Sequence, residues 1–244
     1  TVRLPVDPDN HAQKPVYRVD ELSHVADYAC CNKTTSARHT FEGGVCECGF
    51  EAPFLVYGGG GSTYYGSADE AIAALNAGGA TSLEIVKSYS GTINVNISGS
   101  CIIWIGGGQN TAVSVDGIRV SGGSVSIRNY GTVGKVHQTS GTVALIGYKG
   151  GMYETIETDT GTVGEMLGSV GDTPLLYKTA DGEYLRADNE ACKVSTISNV
   201  QVMFPPLSYV EITGAGNSSG EAHDLRYALT VKAGETVTLQ SGAY

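Results

Sequence analysis

The chain of 244 residues carries 34 glycines, about twice the usual share, and only 16% charged residues. That pairing excludes a helical bundle, which needs charged outer faces and avoids glycine, while 41% apolar content excludes a disordered chain. A net charge of −10 argues against sequence-independent binding to nucleic acid, and no run approaches the ~20 apolar residues that cross a bilayer as a helix.

Thr1 is not an initiator methionine, no charged-then-apolar leader follows it, and the last alternating segment runs out at Tyr244 with nothing to close it. The expectation is a piece cut from a longer protein. Residues 1–57 form one compositional unit, with four of the six cysteines, three of the five histidines and three glycines. Cys30, Cys31, Cys46 and Cys48 lie within nineteen residues and bracket His39. One histidine and three thiolates satisfy a tetrahedral structural zinc ion, which replaces the missing core of a small module. One or two disulfides between the 30/31 and 46/48 pairs are the alternative in an oxidising compartment. Four protein ligands leave no open position, which disfavours a catalytic zinc.

Gly58-Gly59-Gly60-Gly61 opens a stretch, 58–66, that reads as a flexible linker. It is not a phosphate cradle, because no Gly-Lys-Ser/Thr follows it. Ser67-Ala68-Asp69-Glu70 is a capping box, and Ala71, Ile72, Ala74 and Leu75 give a short apolar face that ends before Gly78. The spacing predicts a helix over 67–77, three turns long, docked as a cap on a stack of strands.

From residue 83 the pattern changes to period two. Ile93, Val95 and Ile97, then Val125 and Ile127, then Val143 and Leu145 each alternate with polar or small residues. Gly-Thr-Val/Ile recurs at 91–93, 131–133, 141–143 and 161–163, and Cys101-Ile-Ile103 and Thr111-Ala-Val113 fall on the same ten-residue beat. A unit this short leaves no room for a crossover helix. The constant beat and the apolar inner row predict an all-β fold, a right-handed parallel β-helix (β-solenoid) in which two or three units make one coil. The capping helix and solenoid span 67–171. Leu175–Thr179 and Glu183–Arg186 flank Ala180-Asp181-Gly182 as a hairpin insertion within 172–206, ended by Phe204-Pro205-Pro206. Leu229, Val231, Val237 and Leu239 predict that a truncated solenoid continues over 207–244.

Chemistry is sparse along this stack. Between residues 91 and 150 the only acid is Asp116, too few for the paired carboxylates of glycoside hydrolysis. Glu157 and Asp159 alternate with Thr158 and Thr160 and so share a strand face, as a solvated edge, a calcium site or an acid pair. His137 and His223 read as surface residues, and Cys101 and Cys192 as small buried hydrophobes. No residue takes a catalytic role, and the chain is expected to be non-enzymatic.

His39-Thr-Phe-Glu-Gly-Gly-Val-Cys46-Glu-Cys48-Gly49 resembles the short His-Thr-Phe…Gly-x-Cys-x-x-Cys-Gly module of secreted and surface proteins of gut Firmicutes. Thr63-Tyr-Tyr, Ala68-Asp-Glu-Ala-Ile72, Leu83-Glu-Ile-Val86 and Ile93-Asn-Val-Asn-Ile97 resemble the opening of their pectate-lyase-like β-helix domains. The resemblance covers residues 38–110. It implies a bacterial secreted or cell-surface protein, and a monomeric module within a larger chain that is an adhesive, glycan-contacting or spacer domain. The implied partner is a glycan or host surface ligand, with no nucleic acid and no membrane insertion; the alternative is an accessory part of a secreted carbohydrate-active enzyme or peptidase. Carried over by position, the implied metal ligands are Cys31 (or Cys30), His39, Cys46 and Cys48, one residue closer at Cys46–Cys48 than the family pattern.

Overall fold

The computed structural model describes residues 11, 13–107, 110–147, 151–167, 176–178, 184–185, 190–203, 209–212 and 221–224. Its N-terminal part is an antiparallel sheet of β1 (Val16–Val19), β2 (Ser23–Tyr28) and β3 (Lys33–Arg38), followed by a small hairpin of β4 (Phe41–Glu42) and β5 (Val45–Cys46). Few of these residues are buried; Ala26, His24 and Cys46 are the ones turned inward. So small an apolar interior stabilises little by itself.

The glycine run is not a linker. β6 (Phe54–Gly58) and β7 (Gly61–Tyr65) form an antiparallel hairpin with Gly58 opposite Gly61, so the glycines make its turn. Backbone rather than side chain decides this. Gly61 sits at φ +129°, and a Cβ on Gly58 would lie 2.9 Å from the Gly79 carbonyl oxygen.

The expected helix follows as α1 (Ala68–Asn76). Its cap Ser67 accepts a hydrogen bond from the Glu70 N–H at 3.5 Å, while the Glu70 carboxylate turns away to pair with Arg38 at 3.0 Å. Ala68, Ala71, Ile72 and Leu75 are buried on the end of the strand stack.

Beyond the cap lies a β-solenoid of about four turns. β8 (Ala80–Ile85) pairs in parallel with the second half of β9 (Tyr89–Ile105), and β9 pairs along its whole length with β10 (Ser114–Asn129). β10 then splits its partners, with its first half on β11 (Thr132–Gln138) and its second on β12 (Thr142–Gly147). β11 pairs with β13 (Gly151–Thr158), and a parallel bridge joins Leu145 to Leu167. Leu83 stands over Ile103 and Val136 over Ile156, each twenty residues apart, so two ten-residue beats make one coil there, and the coil between Val115 and Val133 is shorter at eighteen.

Two aliphatic columns fill the interior. Ile93, Ile118, Val136 and Ile156 run up one sheet, and Leu83, Ile103, Ile127 and Leu145 up the other, all at 1% exposure or less. Burying such a side chain contributes roughly 1.5–3 kcal/mol. At the corner between the sheets, Gly123 (φ +75°) and Gly141 (φ +74°) stack so closely that a Cβ on Gly141 would stand 2.5 Å from the Gly123 carbonyl. In the next turn, buried Asn129 supplies hydrogen bonds the coil lacks: its Oδ1 accepts from the Gly131 N–H at 2.8 Å and its Nδ2 donates to the Met152 carbonyl at 3.0 Å.

Past β13 the parallel order ends. The short helix α2 (Val163–Met166) buries Val163 and Met166. The hairpin expected after residue 172 is present as β14 (Leu176–Lys178) and β15 (Tyr184–Leu185). It joins the stack through β16 (Thr196–Met203), which runs antiparallel to both β14 and β13. β17 (Tyr209–Ile212) and β18 (Glu221–Asp224) form a separate antiparallel pair. A continuing solenoid is expected over 207–244; its described parts, 209–212 and 221–224, are this antiparallel pair rather than a parallel coil, and Leu229–Leu239 lie outside the described residues.

Ile127→Ala should lower stability by about 2–5 kcal/mol in a denaturant titration, against no more than about 0.5 kcal/mol for exposed Arg119→Ala. Gly141→Ala should cost about 1–3 kcal/mol by the same measurement, because the residue is held at positive φ under a neighbouring carbonyl.

Candidate metal centre

The N-terminal module brings His24, His39, Cys46 and Cys48 together, with one nitrogen or sulfur of each within 4.8 Å of the others. His24 arrives from β2, where alternation turns it inward with Ala26; it is 4% exposed. His39 follows β3, and its backbone N–H donates to the Leu22 carbonyl at 3.2 Å. Cys46 ends β5. The chain then turns, with the Gly49 N–H donating to the Cys46 carbonyl at 2.8 Å and Gly49 at φ +86°, and this swings Cys48 back beside Cys46. A Cys-x-Cys spacing therefore converges because a turn, not a strand, separates the thiols.

Hydrogen bonds hold the outer ring nitrogen of each histidine. His39 Nε2 lies 2.8 Å from the Asp20 carbonyl oxygen, a pure acceptor, so that nitrogen donates and Nδ1 is turned toward the thiols. His24 Nε2 lies 3.3 Å from the Glu47 carboxylate, and its Nδ1 is likewise turned inward. The two Nδ1 atoms face each other at 3.5 Å. His24 Nδ1 is 3.6 Å from Cys46 Sγ, and His39 Nδ1 is 3.5 Å from Cys48 Sγ. A tetrahedral ion with metal–nitrogen distances of about 2.0–2.1 Å and metal–sulfur distances of about 2.3 Å separates its ligand atoms by roughly 3.3–3.8 Å. The group has the size of a coordination tetrahedron, and its outer nitrogens are held as ligating histidines require.

The two thiols shift in opposite directions. Burial opposes ionisation of Cys46, but the Cys48 N–H, the His39 side chain and the Thr40 N–H outweigh it and bring the thiol down to about 6. Cys48 moves up, through burial and the neighbouring Cys46. Around them, His39 stacks on Phe50 at 4.6 Å and Tyr17 meets His24 edge-on at 5.1 Å. The Asp20 carboxyl, held below its usual range by the Leu22 and Ser23 N–H groups, closes the β1–β2 turn whose carbonyl anchors His39.

Of the ligands expected from sequence, His39, Cys46 and Cys48 stand together and Cys31 does not. Cys31 and Cys30 lie at the tip of the β2–β3 hairpin beside His11, and the fourth member of the centre is His24. The missed signal was a histidine on the inward face of an alternating segment, Ser23-His24-Val25-Ala26. No disulfide joins any of the six cysteines, and the 30/31 and 46/48 pairs belong to separate groups. Cys101 and Cys192 are buried, and burial pushes the Cys101 thiol up to about 11, in keeping with a packing role.

Two further groups sit on the outer faces of the solenoid. His137, read from sequence as a surface residue, has its Nε2 3.1 Å from Asp159 and 3.9 Å from Glu157, both one coil away. Lys135 pairs with Glu157 and holds its carboxyl below the usual range. On the other sheet, Arg128 lies 4.7 Å over the Trp104 ring and Tyr130 is stacked near it at 6.4 Å. The Tyr57 hydroxyl donates to Glu84 at 2.5 Å, and that carboxylate, with burial, pushes the phenol up to about 12. Tyr57, Ser82, Glu84, Trp104 and Gly107 line a hollow of about 440 Å³.

His24→Ala and Cys46→Ser should each remove one equivalent of Co(II) binding, read from its thiolate and ligand-field absorbance. Glu47→Gln should weaken binding by about tenfold, the low end for a carboxylate behind a ligating histidine, because Glu47 is largely exposed. No family model matches the chain, and neither a curated protein nor a solved structure matches it.

Proposed function

We propose that this chain is a non-catalytic module of a larger bacterial secreted or cell-surface protein, in which a structural zinc ion knits the N-terminal unit and the solenoid acts as a spacer that presents its outer faces to a glycan. The observation that carries the zinc reading is the convergence of two histidine Nδ1 atoms, 3.5 Å apart, with two thiols at the spacing of a coordination tetrahedron. A set of two nitrogens and two sulfurs suits zinc, and four protein ligands leave no position for substrate, so the ion is structural. The glycan reading rests on Trp104, flanked by Arg128 and Tyr130 and bordering a hollow that also holds the Glu84 carboxylate and the Tyr57 hydroxyl. An aromatic face beside hydrogen-bonding groups fits a sugar ring, apolar on its flat side and polar at its edge.

A second reading, an accessory part of a pectate-lyase-like enzyme, is favoured by one observation. His137, Asp159 and Glu157 converge on an outer sheet face, where the carboxylates and bases of such enzymes gather.

Native mass spectrometry of the reduced chain should show a zinc mass that a strong chelator removes, with loss of near-ultraviolet signal from the N-terminal module. A chain that stays metal-free in excess zinc overturns the structural-zinc reading. On a glycan array the chain should bind, and Trp104→Ala should lose that binding, without turnover of polysaccharide. Release of unsaturated uronates that disappears in His137→Ala would instead establish the second reading.

A further inference from the structure

We infer that the tip of the β2–β3 hairpin is a second metal site, in which Cys30, Cys31 and His11 take a soft, thiophilic cation and leave one coordination position open. The site shares no ligand with the four-residue centre and stands or falls separately from it. Adjacent residues of a strand point to opposite faces, so a Cys-Cys pair in a ladder cannot chelate one ion. Here the ladder ends at Tyr28 opposite Lys33, and the chain turns back through 29–32. The Cys31 N–H donates to the Tyr28 carbonyl at 3.3 Å, and Asn32 takes φ +53°, a conformation asparagine tolerates better than most residues. The turn brings both sulfurs to one imidazole.

His11 Nδ1 lies 3.3 Å from Cys31 Sγ and 3.6 Å from Cys30 Sγ. Those separations fall in the same range of roughly 3.3–3.8 Å expected between nitrogen and sulfur on one metal ion. The imidazole is held flat against the Tyr28 ring, with centroids 3.6 Å apart and planes 20° from parallel, so its position comes from stacking rather than from the thiols alone. Two thiolates and an imidazole prefer Zn(II), Cd(II) or Cu(I) to hard cations. As the ion binds, each thiol gives its proton to solvent and each sulfur gains a metal bond, with no change of oxidation state.

Exposure separates this site from the first. Cys30 and Cys31 are exposed, whereas Cys46 and His24 are 3% and 4% exposed. Water or an external thiol can reach an ion on the hairpin tip, which makes it the exchangeable ion of the two. An ion with an open position there can also be handed to, or shared with, a ligand from another molecule.

The test titrates the reduced full chain with Cd(II), followed by native mass spectrometry and thiolate-to-metal absorbance. The wild type should take two equivalents, and a mild chelator should remove one first. The Cys30→Ser/Cys31→Ser variant should take one, and His11→Ala should bind its second equivalent at least tenfold more weakly. A wild type that takes one equivalent, lost in His24→Ala and kept in the double serine variant, overturns the second site and leaves the four-ligand centre standing. Unchanged two-equivalent binding in both hairpin variants also overturns it, as does a reduced sample two hydrogens lighter through a Cys30–Cys31 bond. No uptake at all overturns both sites.

Discussion

Direct stacking of inward aliphatic side chains, coil upon coil, is the constraint on which the rest of this structure depends. Because Ile93, Ile118, Val136 and Ile156 stand in register, the residues that follow them, Asn94, Arg119, His137 and Glu157, are fixed as outward, and each outer side chain has its neighbours one coil above and below. Residues about twenty apart in sequence thereby become contacts. Lys135 and His137 meet Glu157, and Glu84, Trp104 and Arg128 form a row across three coils. A one-residue slip would exchange the two faces of a strand, so the aliphatic register also protects the outer arrangement.

The N-terminal module solves a different problem with little apolar material. Its three strands bury only His24 and Ala26, and Val16, Val19 and Val45 are substantially exposed. A four-ligand ion at this group would replace the absent core by cross-linking β2, the segment after β3, and the β5 turn at a single point. The surrounding hydrogen bonds make sense on this view. Asp20 and Glu47 each hold an outer histidine nitrogen, and these contacts point both inner nitrogens at the same place before any ion arrives.

Much of the solenoid was legible in the sequence, because its signal is local and repeated. Gly-Thr-Val at 131–133 and 141–143 places glycine at the corner, threonine outward and valine inward, and one coil is two such beats. The capping helix was legible for the same reason, through Ser67 and an apolar face of four residues. The glycine run at 58–61 was not, since flexible joints and tight hairpin turns use the same residue; the pairing of Phe54 with Tyr65 decides between them. The centre was half legible. Cys46, Cys48 and His39 are neighbours in sequence, but His24 is recruited by the pairing of β2 with β3, and that pairing sends Cys31 to the hairpin tip. Long-range register, not composition, distinguishes one site from the other.

The same register argument governs how the module meets the solenoid. Among the described residues, two ion pairs cross the boundary, Arg38 with Glu70 and Lys87 with Glu51, and all four side chains are at least one-third exposed. Pairs of that kind contribute little in water. Close backbone approach contributes more to placement. A Cβ on Gly66 would stand 2.2 Å from the Glu21 carbonyl oxygen and 3.2 Å from the Phe50 ring, and one on Gly44 would stand 3.0 Å from the Tyr64 ring. Glu21 and Phe50 flank the metal ligands in sequence, and Gly66 leads directly into the helix cap. The geometry of the centre and the end of the aliphatic stack are therefore joined through a few backbone contacts that tolerate no added methyl group, and shape rather than charge orients one against the other.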